Sequence, residues 1–329
     1  MKRARALLGL GLILLVVLLV RQGWAAWLEL ARLAGLGLVL VVLFHGVPLL
    51  IDTAALRVLS KRGHGSMRDA LVARWAGESA NSLLPAGQIG GPLLMARELA
   101  RRGTPPGEAL AWVTVALTLQ TLALLAFMLF GLAAVAARVG VEPGAARSAI
   151  LVSGGVLAFL ILVFYGAQRR GLFSRALRLV GRWLNPDDHA RWMGHAEAVE
   201  QELADTYKRG GAVAASFALS LLGWIAGTGE VYLTLRLLGH PVGWDAALLI
   251  ESLGQTIRSA AFAVPAALGV QDGGYLLLTS LVGLPASTGL ALALTKRARE
   301  LILGAPGLWY LHLAERRAGT ASRADSIAP

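Results

Sequence analysis

The sequence predicts an all-α polytopic membrane protein, and three observations carry that prediction. Apolar runs of about 20 residues, the length at which a helix crosses a bilayer, recur along the chain. Hydrophobic residues make up 56% of the chain against 16% charged, with a mean hydropathy of +0.62, too apolar for a water-facing surface. Gly and Ala are spread through the runs, as closely packed membrane helices need, while the alternation of a transmembrane barrel is absent. Its 329 residues leave room for about eight membrane segments.

Composition also excludes several function classes. The net charge of +11 could suggest nucleic acid, but Lys and Arg sit in loops between the apolar runs, where they set topology and meet anionic headgroups; no nucleic-acid partner is expected. The chain has no cysteine, so disulfides, thiolate nucleophiles and Cys-ligated metals are ruled out.

Met1-Lys-Arg-Ala-Arg5 and the apolar run Ala6 to Val20 have the outline of a signal peptide. No small-x-small cleavage site follows cleanly, and Arg21 to Trp27 is Trp-rich like a membrane interface, so an uncleaved first span with a cytoplasmic N-terminus is expected. Leu33 to Ile51 is the second span, its His45 and Pro48 read as packing and kink features because no partner His lies one turn away. A basic loop with Arg57, Lys61, Arg62, Arg68 and Arg74 follows and is expected in the cytoplasm. Residues 76–100, broken by Pro and Gly and flanked by that loop and by Arg97, Arg101 and Arg102, are expected to form a re-entrant hairpin.

Glu108 to Ala136 is the third span, with Thr114, Thr118, Gln120 and Thr121 making one side mildly polar. Arg138 to Arg147 suits an outer link, and Ser148 to Gly166 is the fourth span. Gln168 to Gly210 reads as a cytoplasmic amphipathic loop anchored on the inner leaflet, restarted by Asn185-Pro-Asp-Asp188. Gly211 to Leu238 is the fifth span, with Glu230 near its outer end. Asp245 to Leu284 is a second broken segment, Pro285 to Leu313 the sixth span, and 314–329 a disordered cytoplasmic tail.

The two broken segments correspond. Glu78-Ser79 precedes Pro85-Ala86 and Gly90-Gly91; Glu251-Ser252 precedes Pro265-Ala266 and Gly273-Gly274. Each follows two spans and precedes one, so the chain parses as a first membrane repeat (1–137) and a second (138–313) inserted upside down. In such inverted-topology repeats, broken helices meet near the midplane and make the substrate site. A rival topology has seven or eight full spans: Tyr275 to Thr295 carries no charge and is long enough to cross alone, which would put Lys296 to Glu300 at the cytoplasmic surface.

A charge at bilayer mid-depth costs roughly 2.5 to 3.5 kcal/mol on insertion scales, so clustered charges beside a helix break mark a candidate site. In the first hairpin the candidates are Glu78, Asn81, Pro85, Gly90 and Gly91. In the second half they are Glu251, Arg258, Pro265, Gly269, Asp272, Gly273, Gly274, Lys296, Arg297, Arg299 and Glu300. Glu78, Glu251, Arg258 and Asp272 are expected to line a groove. Lys296, Arg297 and Arg299 would meet an anionic group, because positive charge is left over after Glu300 is paired. The competing reading is that these charges only satisfy one another and hold helices together.

Phe262-Ala-Val-Pro265 through Gly269-Val-Gln-Asp272-Gly-Gly-Tyr275, and on to Thr295-Lys-Arg-Ala-Arg-Glu300, resembles the lysylphosphatidylglycerol synthase transmembrane-region superfamily of flippase-like proteins. Asn81 to Gly91 fits that superfamily's Asn-x-x-x-Pro-x-Gly pattern, and the resemblance is nearest to the hopanoid-biosynthesis-associated membrane proteins. It covers nearly the whole chain, and implies a multi-pass protein of a Gram-negative inner membrane that handles lipids. Many relatives carry a charged pair in the third span where this chain has Thr118-Leu-Gln120, so a role resting on that pair is in doubt. A soluble aminoacyl-transferase that better-known relatives append is not expected here.

The function these readings imply is translocation or transport of a lipid, a hopanoid or an anionic phospholipid, with membrane lipids as partners. A non-catalytic accessory of hopanoid or other lipid biosynthesis, bound to other membrane proteins of that pathway, is the alternative. A lipid-modifying enzyme is disfavoured: no Ser-His-Asp arrangement, Gly-x-x-x-x-Gly-Lys-Ser/Thr or His-Glu-x-x-His motif occurs, and His189 and His195 fall on different helical faces. No catalytic residue, metal or cofactor is expected.

Overall fold

The computed structural model describes residues 35–61, 64–84, 87–139, 198–261, 267 and 269–325, and its regular elements there are all helical. Helices α1 (Leu36–Phe44) and α2 (Gly46–Arg57) are the halves of one apolar run. Pro48 has no N–H to give the Phe44 carbonyl, and its ring crowds that group, so the run breaks at His45. The kink read from Pro48 is therefore present, and the run continues six residues past Ile51. Helix α3 (Met67–Leu83) starts at a capping box in which the Ser66 hydroxyl accepts from the Asp69 amide at 3.1 Å and the Asp69 carboxylate accepts from the Ser66 amide at 3.0 Å. Then come α4 (Gly87–Arg101), α5 (Pro106–Val139), α6 (Gly210–Leu237), α7 (Trp244–Ala260), α8 (Val270–Leu281) and α9 (Ala286–Asp325). The expected first span at 6–20, the fourth at 148–166 and most of the loop at 168–210 lie outside the described residues, as do Pro85 and Pro265.

Among the described residues, Leu36–Arg57, Pro106–Ala133 and Gly210–Leu237 are long and apolar enough to cross a membrane. The chain is a multi-pass membrane protein, and its outer faces agree. Leu36, Leu43, Leu277 and Trp309 are each more than 60% exposed, a surface that lipid tails solvate and water does not. Inside α5, the hydroxyls of Thr114, Thr118 and Thr121 donate to carbonyls one turn back, which removes their polarity from the apolar run.

Three expectations change. Arg74, assigned to a loop, lies within α3 and points inward. The rival crossing from Tyr275 to Thr295 is interrupted: α8 ends at Leu281 in a Schellman turn, where Gly283 (φ 79°) donates to Ser280 and Leu284 donates back to Thr279. Only a glycine enters that left-handed conformation without strain. The expected unstructured tail is helical through Asp325, because extending a formed helix through Ala-rich sequence requires no new nucleus.

Several helix pairs before and after residue 198 make corresponding contacts. α2 packs on α3 as α6 packs on α7; α3 packs on α4 as α7 packs on α8. α5 lies against α4, the second member of its own broken pair, and against α7, the first member of the other. α9 does the same with α8 and α3, while α2 and α6 pack on each other. Close crossings allow this. At the α3–α4 crossing a Cβ on Gly91 would stand 2.6 Å from the Gly77 carbonyl oxygen, so only hydrogen fits. One apolar cluster joins α3, α4 and α5 around Trp112, Leu99 and Ala73; another joins α6 to α9 around Tyr275, Ile250 and Leu292.

Candidate functional site

Between these clusters lies a cavity of about 470 Å³, walled by α2, α3, α4, α5, α6, α7 and α9. Leu117, Gln120, Thr121 and Leu124 reach it from the middle of α5, so it sits at mid-length of a spanning helix and away from its ends. Its charged wall comes from both halves: Asp52, Arg74 and Glu78 from the first, Glu230, Glu251, Arg258, Lys296, Arg299 and Glu300 from the second, with His45 between them.

Each cation on that wall is held by a carboxylate. Arg74 donates to Asp52 at 2.7 Å and to the Gln120 side-chain oxygen Oε1 at 3.0 Å, and the Gln120 amide nitrogen donates to Asp52 at 2.9 Å. Lys296 Nζ lies 2.7 Å from Glu251 Oε2, 3.8 Å from Glu230 Oε1 and 5.7 Å from the centre of the Tyr275 ring. Arg258 donates to Glu300 at 2.6 Å. Arg299 Nε stands 3.2 Å from Glu230 Oε1 without the alignment of a hydrogen bond, so that contact is Coulombic alone. His45 sits at the junction: Nδ1 is 2.9 Å from Glu230, Nε2 is 3.0 Å from Glu78, and Arg299 Nη1 is 2.9 Å from both ring nitrogens.

Of the residues picked from sequence, Glu78, Asn81, Gly91, Glu251, Arg258, Lys296, Arg299 and Glu300 come together on the cavity wall. Others do not. Asp272, expected in the groove, is buried at the N-terminus of α8, where Oδ2 accepts from the Gly269 amide at 2.7 Å and Oδ1 faces Arg297 Nε at 3.4 Å. Arg297, expected to meet a ligand, lies behind the wall between Asp272 and Glu300. Gly269 (φ 75°) begins α8, Gly273 donates back to it, and Gly274 packs under Ile257. Gly90 is near nothing that a Cβ would touch.

The charge balance also differs from expectation. Within Lys296 to Glu300 alone the cations win, but Glu230, Glu251 and Asp52 come from elsewhere, and on the wall as a whole carboxylates outnumber permanent cations. The residues missed were His45, Asp52, Arg74, Gln120 and Glu230. A single carboxylate inside an apolar run, such as Asp52 or Glu230, was the signal, since one cannot stay there without a distant partner.

A second charged group ties helix ends away from the cavity. Arg102 donates to Glu98 at 2.9 Å, Asp69 at 3.0 Å and Tyr310 at 2.9 Å, and Tyr310 donates to Glu98, which joins α3, α4 and α9. The Ser66 hydroxyl and amide, with Arg102, hold the Asp69 carboxyl down at about 2. On the neighbouring face, Lys61 donates to Glu202 at 2.7 Å and His64 pairs with Glu108 at 2.9 Å.

No curated protein and no solved structure matches the chain. The model of the lysylphosphatidylglycerol synthase TM region matches residues 6–307, a span that holds both broken helix pairs and every charged residue of the cavity, and the chain belongs to that family.

Proposed function

We propose that the chain translocates a lipid by admitting its polar head to the charged cavity while its tail stays among the outward-facing apolar side chains. The observation that carries this reading is the cavity itself: a space of about 470 Å³ with a polar wall at mid-length of spanning helices. Such groups are expensive in a bilayer and mark a pathway or site by default. The exchanged packing of α5 and α9 supports inverted-topology repeats, with α3–α4 and α7–α8 as re-entrant pairs that meet around the site. In this reading the protein lies in a bacterial inner membrane with both termini in the cytoplasm, and catalyses no covalent step.

The wall's balance of charge bears on the cargo. A phosphate would have to draw Lys296, Arg258 or Arg299 away from carboxylates already within 2.6 to 3.2 Å. A hydroxyl-rich or zwitterionic head can bond to the wall without that exchange, which ranks a hopanoid above an anionic phospholipid. The same self-pairing favours a second reading, an accessory of lipid or hopanoid biosynthesis whose charges only fasten its helices.

Reconstitution into phosphatidylcholine vesicles with fluorescent lipid in both leaflets separates the two. Translocation exposes inner-leaflet probe to an impermeant quencher faster than in protein-free vesicles. Equal quenching with phospholipid and hopanoid probes alike would overturn it and leave the accessory reading.

A further inference from the structure

We propose that His45 is an exchangeable-proton site, and that its loading sets the pace of movement through the cavity. The second clause rests on the translocation reading; the first does not.

The geometry gives the ring partners in both of its states. A neutral imidazole has one N–H, while an imidazolium has two. Carboxylates lie at both nitrogens, Glu230 at 2.9 Å from Nδ1 and Glu78 at 3.0 Å from Nε2, so the charged ring donates to both. Arg299 has only donors, and its Nη1 stands 2.9 Å from each nitrogen, so the neutral ring can accept from it. In the neutral state Nε2–H stays on Glu78 and Nδ1 turns to Arg299, while Glu230 Oε2 loses the ring N–H and the carboxylate keeps only its Oε1 contacts, Lys296 at 3.8 Å and Arg299 Nε at 3.2 Å. Both states give the ring partners, and the proton decides whether the buried Glu230 Oε2 has a donor.

The surrounding charges make the proton count. Asp52 pairs with Arg74, Glu251 with Lys296, Glu300 with Arg258, and Glu230 with Arg299. Glu78 is left, and its ion-pair partner is His45. Helix α5 adds Gln120 and Thr121, which carry no charge. With the ring charged the wall is balanced, and with the ring neutral it carries one surplus negative charge. A proton bound here changes the field in which a lipid head would sit.

The ring also borders two spaces, the large cavity and a pocket of about 20 Å³ that adds Trp75, Ser79 and Leu303 to a shared lining. That volume fits about one water molecule. Hydronium in the cavity gives its proton to Nδ1, so an N–H bond forms as an O–H bond breaks and water remains. Release reverses the step.

The test uses the full chain with ¹⁵N-histidine in phosphatidylcholine nanodiscs, read by ring ¹⁵N shifts from about pH 5 to about pH 8. One resonance changes from an imidazolium to a neutral pattern, is lost in His45→Gln, and titrates differently in Glu230→Gln. Should His45→Gln not fold, a chain in which every histidine but His45 is replaced by Gln gives the same assignment. A His45 ring that keeps one protonation state over the whole range overturns the proposal. In vesicles, a pH gradient speeds lipid movement in wild type several-fold and the gain is lost in His45→Gln. Movement that ignores the gradient while His45 titrates overturns the coupling. No lipid movement under any gradient sinks the translocation reading, and the titration still decides the proton site.

Discussion

Lys296→Met should cost about 3 kcal/mol of stability, and adding Glu251→Met should return most of it. The lysine holds Glu251 Oε2 at 2.7 Å, and the side chains of both residues are under 10% exposed. Removing one partner of a buried pair costs about 3–5 kcal/mol because the other charge is left uncompensated. Gln255 still donates to Glu251 Oε1 at 2.8 Å, so one oxygen is stranded and not two, which puts the loss at the lower end. The double change strands no charge at this pair and keeps nearly the same volume; such replacements are often neutral or stabilise by about 1–4 kcal/mol. Reversible unfolding in mixed micelles, followed by tryptophan fluorescence, measures all four corners of the cycle. Single changes that each cost under about 1 kcal/mol, the range of solvated surface pairs, would refute the buried-pair reasoning. So would a double change that costs the sum of the singles. Transport by the stable double variant then separates site from fastening: a folded but inactive protein means the charges act on cargo.

Gly91→Ala would drive a Cβ to 2.6 Å from the Gly77 carbonyl, a backbone atom that cannot swing aside; a loss of about 1–3 kcal/mol is expected, and wild-type stability would disprove the tight crossing. Asp69 has its carboxyl held at about 2, below its ordinary value near 4, so its contribution is full above about pH 4 and disappears as pH falls through about 2. The stability gap between wild type and Asp69→Asn should therefore close on acidification, and a gap that stays constant would contradict the capping geometry. Single cysteines at Arg68 and Arg101, in a chain that has no other, should label from one side of the membrane. Labelling from opposite sides would remove the re-entrant pair from the proposed topology.

Much of the helix map could be read before any coordinates, because bilayer length and Pro/Gly breaks act locally. Pro106–Val139 and Gly210–Leu237 agree with the expected third and fifth spans to within a few residues. The site was legible where acids and bases cluster in sequence, as at Lys296 to Glu300. It was not legible at His45, whose carboxylate partners lie 33 and 185 positions away. Nor could Arg74 be placed: a cation next to a basic loop looks like a topology signal until α3 is seen to begin at Met67 and carry it inward. Asp272 misled for the converse reason, since a buried carboxylate at a helix start serves the helix and need not face a cavity.

Helix α9 works as a keyed shaft. Successive side chains on it are about 100° apart, so Lys296, Arg297, Arg299 and Glu300 fan out over nearly half its circumference. Each tooth engages a different lock: Glu251 on α7, Asp272 on α8, Glu230 on α6, and Arg258 on α7. Turning the shaft by one residue would disengage all of them at once. Small rotations are thus opposed by all four contacts together. Pro306 lies one turn past the Ile302 carbonyl that it leaves without an amide, and Trp75 donates to the next carbonyl, Leu303, at 2.9 Å. A helix locked in this way, with Pro306 near its middle, holds its whole charged segment as a single piece on the N-terminal side of that proline.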